Sequence, residues 1–173
     1  MSESKTPLRL AGVIRESIVD GPGIRMTVFV QGCPHHCKGC HNQHTWDFDG
    51  GYDSSVERIL EEAAKDKLLR GITLSGGEPF SQAKSLTVLA KGARAMGLNV
   101  FCYTGYTFQQ LQAQFDDHPE YRELLEQCGW LVDGPFIEEE KSLMLHFRGS
   151  RNQRILDVPE SLKQGKAVIS DIN

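Results

Sequence analysis

An α/β chain on a mostly parallel sheet, left open as a partial (β/α) barrel, is what this 173-residue sequence predicts. Three observations carry the expectation. β-Branched and aromatic runs alternate with helical apolar patterns, which implies parallel strands joined by right-handed crossovers. The chemically distinctive stretches, namely a cysteine loop, SGGEP, YTGYT and DGPF, all follow strands, where α/β architectures assemble their sites. The strands are also too few to close an eight-fold barrel.

Each element has its own signal. Residues 24–31, IRMTVFVQ, read as a strand running into the cysteine loop. Residues 54–67 place Val56, Ile59, Leu60 and Ala63 or Ala64 at helical spacing behind a serine start. GITLSGG at 71–77 is a short buried strand ending in paired glycines, and AKSLTVLAKGARAMG is a helix closed by Gly97. LNVFCYTG at 98–105 is the next strand, followed by helices over 108–115 and 119–127. WLVDGPF at 130–136 predicts a strand and turn; the tail predicts a strand, a short helix from Pro159 and a last short strand. No repeat, low-complexity segment or Pro/Ser-rich linker interrupts the chain, so one domain over 1–173 is expected.

Composition narrows the function classes. With 19 bases against 23 acids and no basic stripe, a nucleic-acid partner has no electrostatic support. The opening MSESKTPLRLAGVI lacks the apolar core of a signal peptide, and no apolar run approaches the ~20 residues that span a membrane. Five cysteines, three of them clustered, do not read as a disulfide framework and point to a reducing cytoplasm.

Cys33, Cys37 and Cys40 are spaced C-x3-C-x2-C in a loop that Gly32, Pro34 and Gly39 allow to fold tightly. Two chemistries fit that spacing. One is a tetrahedral zinc site completed by His35, His36, His41 or His44; the other is an iron–sulfur cluster with one iron lacking a protein thiolate. In GGEP, Gly76 and Gly77 permit close backbone approach to a ligand, Glu78 is a carboxylate suited to an ammonium group, and Pro79 stiffens the turn. Alone, the same four residues read first as a plain strand-to-helix turn with an exposed acid. VDGPGIR at 19–25 is a shaped turn in which Asp20 is either an Asx residue or a site residue. Arg25 either pairs with a carboxylate at the site or serves the surface. Cys102, Cys128 and Trp130 read as core, and His118 as surface. IEEEK is a solvated acidic turn from which Lys141 could reach the site, and Trp46 would shield the cysteine loop.

Taken in order, VDGPGIR, the cysteine motif, CHN at 40–42 with Trp46, and SGGEP resemble the radical S-adenosylmethionine (SAM) superfamily, in particular activating enzymes of glycyl-radical enzymes. LVDGPFIEEEKS (131–142) and RGSRNQRI (148–155) resemble the activating proteins of anaerobic ribonucleoside-triphosphate reductase. The resemblance implies a partial barrel of the radical SAM type and a [4Fe–4S] cluster on Cys33, Cys37 and Cys40, whose unique iron chelates SAM. One electron passed to the sulfonium would release a 5′-deoxyadenosyl radical that takes hydrogen from a glycine Cα. The implied partner is the large subunit of anaerobic ribonucleotide reductase, through its C-terminal glycine loop, with a low-potential donor such as flavodoxin. Asp20 then becomes the candidate catalytic residue beside the target peptide. Gly76, Gly77, Glu78 and Pro79 become cofactor-binding, with Glu78 on the SAM ammonium. Asp133 would lie near the SAM carboxylate through a monovalent cation. Arg148, with Asn152, Gln153 and Arg154, would contact SAM or the partner, unless that segment is a solvated loop.

Two positions depart from the superfamily. Gly39 replaces the aromatic residue that commonly packs on adenine, and Tyr103 stands where formate-lyase activases carry an aspartate. Three other readings stay open: an activase of another glycyl-radical enzyme, a small-molecule radical SAM enzyme such as a deazapurine synthase, and a zinc-binding interaction module.

Overall fold

The computed structural model describes residues 5–40 and 42–172. In chain order the strands are β1 (Pro7–Ser17), β2 (Arg25–Val30), β3 (Tyr52–Ser55), β4 (Gly71–Gly76), β5 (Asn99–Tyr103), β6 (Trp130–Asp133) and β7 (Arg154–Asp157). The helices are α1 (Val56–Ala64), α2 (Ala83–Ala95), α3 (Phe108–Gln112), α4 (Pro119–Gln127) and α5 (Val158–Gln164). One sheet holds all seven strands in the order β3-β1-β2-β4-β5-β6-β7. β2, β4, β5 and β6 are mutually parallel, while β1 and β7 run antiparallel to their neighbours. Because β3 and β7 remain edges, the sheet is an open, partial barrel.

Local chemistry explains most boundaries. Ser55 caps α1, its hydroxyl accepting from Arg58 N at 3.2 Å, and Val56, Ile59 and Ala63 turn inward. α2 buries Leu86, Leu89, Ala90 and Ala93. Pro119 opens α4 and Pro159 lies in the first turn of α5, where a missing N–H costs nothing. Three expectations needed revision. β1, the longest strand, escaped notice because register shifts near Gly12 and after Ile14 break its period-2 pattern. β3 is a four-residue edge strand dominated by polar residues. The last expected strand is reduced to a single bridge between Leu156 and Ile169.

The two faces of the sheet differ in kind. One buries Met26, Val28, Val30, Ile72, Leu74, Val100, Cys102 and Leu131 in the main core shared with the helices. The inner face carries Arg25, Thr27, Thr73 and Ser75 beside a small cluster of Phe101, Val132 and Ile155. Strand alternation sends odd- and even-numbered neighbours to opposite faces, so a half-polar inner face is built directly into β2 and β4. Among the described residues, no helix is long and apolar enough to cross a membrane.

Arg25 closes the bottom of the inner face, far from the cysteine loop along β2, and neither expected role applies. It is fully buried. Its guanidinium donates to Thr73 Oγ1 (2.8 Å), Asn99 Oδ1 (2.6 Å), Ile72 O (2.9 Å) and Pro22 O (2.9 Å), and lies 5.8 Å from the Phe101 ring centroid. Burial pulls its pKa down to about 10, which still leaves it charged at neutral pH. Substituting Arg25→Leu strands several buried acceptors at once, so unfolding free energy is expected to fall by about 3 kcal/mol. A urea midpoint lowered at unchanged slope would verify this; an unchanged midpoint would show that water replaces the lost donors.

Candidate functional site

The loops that follow β2, β4, β5 and β6 share one rim because those four strands are parallel and adjacent. Together they wall a cavity of about 510 Å³, within the ~300–1,000 Å³ usual for cofactor and small-molecule sites. Cys33, Cys37 and Cys40 line it, with Gly76 and Gly77 from the second loop, Thr104 and Gly105 from the third, and Gly134 and Phe136 from the fourth. The inner face contributes Phe29, Ser75 and Tyr103 as its floor.

The cysteine loop is pinned along its first half. Gly32 N donates to Thr45 O (2.6 Å) and Cys33 N to Trp46 O (3.1 Å), so the chain returns alongside itself. His36 adopts a left-handed φ of 49° and stacks on Trp46 at 4.6 Å, which seats the indole against the loop. None of the five cysteines is in a disulfide. Burial pushes the Cys33 and Cys37 thiols up. Among the described residues no three His, Cys, Asp or Glu side chains are gathered around a single ion. A cluster makes no such demand, since each thiolate binds its own iron. His41 lies outside the described residues.

GGEP behaves differently from its expected role. Gly76 and Gly77 do line the cavity, but a Cβ on either would strike this chain's own backbone, at Val30 N (2.5 Å) and Gly32 O (2.3 Å). Glu78 is fully buried, and neither it nor Pro79 is among the lining residues. Its carboxylate accepts from His35 Nε2 (2.6 Å), Thr104 Oγ1 (2.9 Å), Gly105 N (2.8 Å) and Phe80 N (3.0 Å). The turn folds toward the protein because a 3-10 turn starts at Pro79, and Glu78 is its N-cap.

Asp20 lines the cavity and stabilises its own turn as well. Its Oδ2 accepts from Ser17 Oγ (2.8 Å) and Thr27 Oγ1 (3.1 Å), and its carbonyl accepts from Thr73 Oγ1 (2.6 Å). Asp133 sits away from the cavity wall. It is 1% exposed, ion-paired to Arg154, and accepts from Phe108 N (2.8 Å) at the start of α3. The antiparallel register that places Asp133 opposite Arg154 explains the pairing.

The RGSRNQR segment divides into two roles. Gln153 accepts from Gly149 N (2.9 Å) and donates to Gly134 O (3.2 Å), and Asn152 donates to Pro135 O (2.7 Å), so these amides tie two loops together. Arg148 lines the cavity; Nη1 donates to Gln153 O at 3.3 Å, while the buried Nε has no hydrogen-bond partner among the described residues. Lys141 is exposed, bridges to Ser150, and is not among the lining residues. Cys102 and Cys128 are core thiols that donate to Tyr103 O (3.5 Å) and Leu124 O (3.3 Å).

Sequence reasoning missed His35 as a partner of Glu78, and missed Phe29 and Phe147. Phe147 holds a left-handed φ of 60° while Tyr103 Oη donates to its carbonyl at 2.6 Å. Only His35 carried a signal, by lying between the first two cysteines.

The family described as a 4Fe-4S single cluster domain matches residues 19–156 of this chain. The anaerobic ribonucleoside-triphosphate reductase-activating protein of Vibrio cholerae is 40% identical over 146 residues, covering 80% of this chain and 90% of that protein. The protein of the same description from Haemophilus influenzae is 36% identical over 146 residues, with coverage of 80% and 90%. Among solved structures, QueE from Escherichia coli aligns over 58% of this chain and 53% of its own, at 18% identity and a TM-score of 0.44.

Proposed function

Since this chain belongs to the 4Fe-4S single cluster domain family and to the anaerobic ribonucleoside-triphosphate reductase-activating proteins, we propose that it activates such a reductase by radical chemistry with SAM. The observation that carries this reading is the set of three free thiols, Cys33, Cys37 and Cys40, on the wall of the cavity that four parallel-strand loops enclose. When bound there, the cluster and SAM would together supply a 5′-deoxyadenosyl radical able to take hydrogen from a glycine Cα of the reductase.

The chain's own residues divide the remaining work. Cys33, Cys37 and Cys40 would each hold one iron, three of the cluster's four. Arg148, whose buried Nε lacks a partner, donates to the SAM carboxylate. Gly76 and Gly77 form part of the wall beside it. The rings of Phe29, Tyr103 and Phe147 offer flat apolar surface for an adenine, a task that Gly39, packed against Glu138, leaves open. Trp46 covers the cysteine loop and excludes water. Asp20, next to exposed Ile18 and Val19, orients the glycine-bearing loop of the partner. Glu78, Pro79 and Asp133 act through the protein by fixing loops. A low-potential donor such as flavodoxin supplies the electron, in a cytoplasm reducing enough for five free cysteines.

Anaerobically reconstituted and reduced protein, given SAM, is expected to release 5′-deoxyadenosine. Adding the reductase should produce a glycyl doublet in the EPR spectrum. Deoxyadenosine without the doublet would move the substrate elsewhere, and tightly held zinc in place of iron and sulfide would end the proposal. Arg148→Gln should weaken SAM binding about tenfold with cluster content unchanged, the loss expected for one charge-assisted hydrogen bond. Equal SAM affinity in the variant would remove Arg148 from the site.

A further inference from the structure

We infer that His35 is a positioning residue of the cluster site, gripped by the buried Glu78 so that the cysteine loop keeps one course past Cys33. The inference rests on the cluster assignment proposed above.

Glu78 grips the loop twice. Its backbone N donates to Gly32 O at 2.8 Å, and its side chain meets the His35 ring at 2.6 Å. Cys33 lies between the two grips and is the most buried of the three cysteines. A carboxylate taken fully out of water needs hydrogen bonds on both oxygens. Here Oε2 is met by Phe80 N and Thr104 Oγ1, and Oε1 by Gly105 N, Thr104 Oγ1 and His35. His35 is the only one of these donors that comes from the cysteine loop, so it is the single side chain through which the carboxylate holds that loop.

The ring itself has almost no freedom. Tyr106 meets it edge-on at 4.5 Å, and a Cβ at position 105 would lie 2.4 Å from it, so the ring occupies space that only glycine leaves. Loops after β2, β4 and β5 thus converge on one imidazole. The second half of the cysteine loop is held by other groups: Cys40 N on Cys37 O at 3.1 Å, Asn42 N on Cys40 Sγ at 3.4 Å, the Phe136 backbone on the Cys37 thiol, and an exposed Lys38–Glu138 contact at 3.8 Å. Losing the grip should therefore disturb the Cys33 end first. A SAM ammonium could use Glu78 only by displacing these internal partners.

The test compares wild type with His35→Ala, His35→Gln, Glu78→Gln and His35→Ala/Glu78→Gln. Iron and sulfide per chain are measured after anaerobic reconstitution, then the rate of cluster loss to a chelator, and the EPR spectrum of the reduced cluster with and without SAM. His35→Ala and Glu78→Gln should each load a cluster but lose it about tenfold faster, as expected when a partner orienting a metal ligand is removed. The double variant should lose it no faster than the faster single variant, because both changes break one contact. His35→Gln, which keeps an N–H donor, should recover part of the retention. Near-wild-type thermal midpoints of the apo variants would exclude general unfolding.

Wild-type retention rates and EPR spectra in both single variants would overturn the inference, as would multiplicative losses in the double variant. Failure of the cluster reading looks different: wild type itself would bind no iron and sulfide, and the inference would fall with it. If Glu78→Gln weakened SAM binding while leaving cluster retention untouched, Glu78 would be a ligand contact and the inference would be wrong.

Discussion

Replacing Cys33, Cys37 or Cys40 by alanine, one at a time, is expected to cut iron and sulfide per chain at least tenfold and to abolish glycyl-radical formation. The three thiols occupy the same cavity wall in a loop held by Trp46 on one side and by the GGEP turn on the other. Removing one leaves an iron without its thiolate. His35, on the same cavity wall, is already engaged by Glu78. Cys102→Ala is the control, because that thiol faces the helices, with the Cys128 thiol and the Tyr103 carbonyl (3.5 Å) as its partners. It should load a full cluster while losing a few degrees of thermal stability. A dispensable Cys37 together with an essential Cys102 would show that the ligands had been misassigned.

Gly76→Ala should be the most damaging single-methyl change on the rim. Gly76 has a φ of +97°, where a side chain is strained, and it pairs directly with Val30 at the end of β2. An added Cβ would stand 2.5 Å from Val30 N, 2.7 Å from Phe29 Cα and 2.7 Å from Val30 O, all backbone atoms. Strain and overpacking together are expected to cost about 3 to 4 kcal/mol, and the separation of β2 from β4 would pull the cysteine loop off the GGEP turn. Gly97→Ala separates the two effects. Its φ is +86°, but nothing lies within 4 Å of the new methyl, so only the strain of about 1 kcal/mol should appear. Denaturant midpoints of the two variants, with cluster content for Gly76→Ala, check both statements. Equal midpoints would mean that the β2–β4 junction opens without cost.

The parallel strands were legible because their apolar runs are short, dense and bounded by glycines. α4 was legible to the residue because Pro119 can open a helix and cannot sit inside one. β1 was not, because its pairing with β2 shifts register twice and its inward residues lose the simple alternation. The chemistry-bearing loops were legible as motifs, and residues such as Cys33, Cys37, Cys40 and Asp20 lie together on one cavity wall. Glu78 and Asp133 were not legible in the same way. A carboxylate in a turn looks alike on paper whether it faces a ligand or, as with Asp133 and Arg154, a partner from another strand.

By itself, the sequence determined the parallel sheet, the rim on which its loops meet and the thiols that line them, because these depend on local periodicity, turn chemistry and spacing. Only the tertiary structure decided which polar groups face the cavity and which face one another. That choice is made by strand register and by the cost of burying a charge, and both involve residues far apart in the chain. Thus Glu78 turned inward to His35, 43 positions away, and Arg25 turned to Asn99, 74 positions away. Arg148 was left with a buried Nε that finds no hydrogen-bond partner among the described residues.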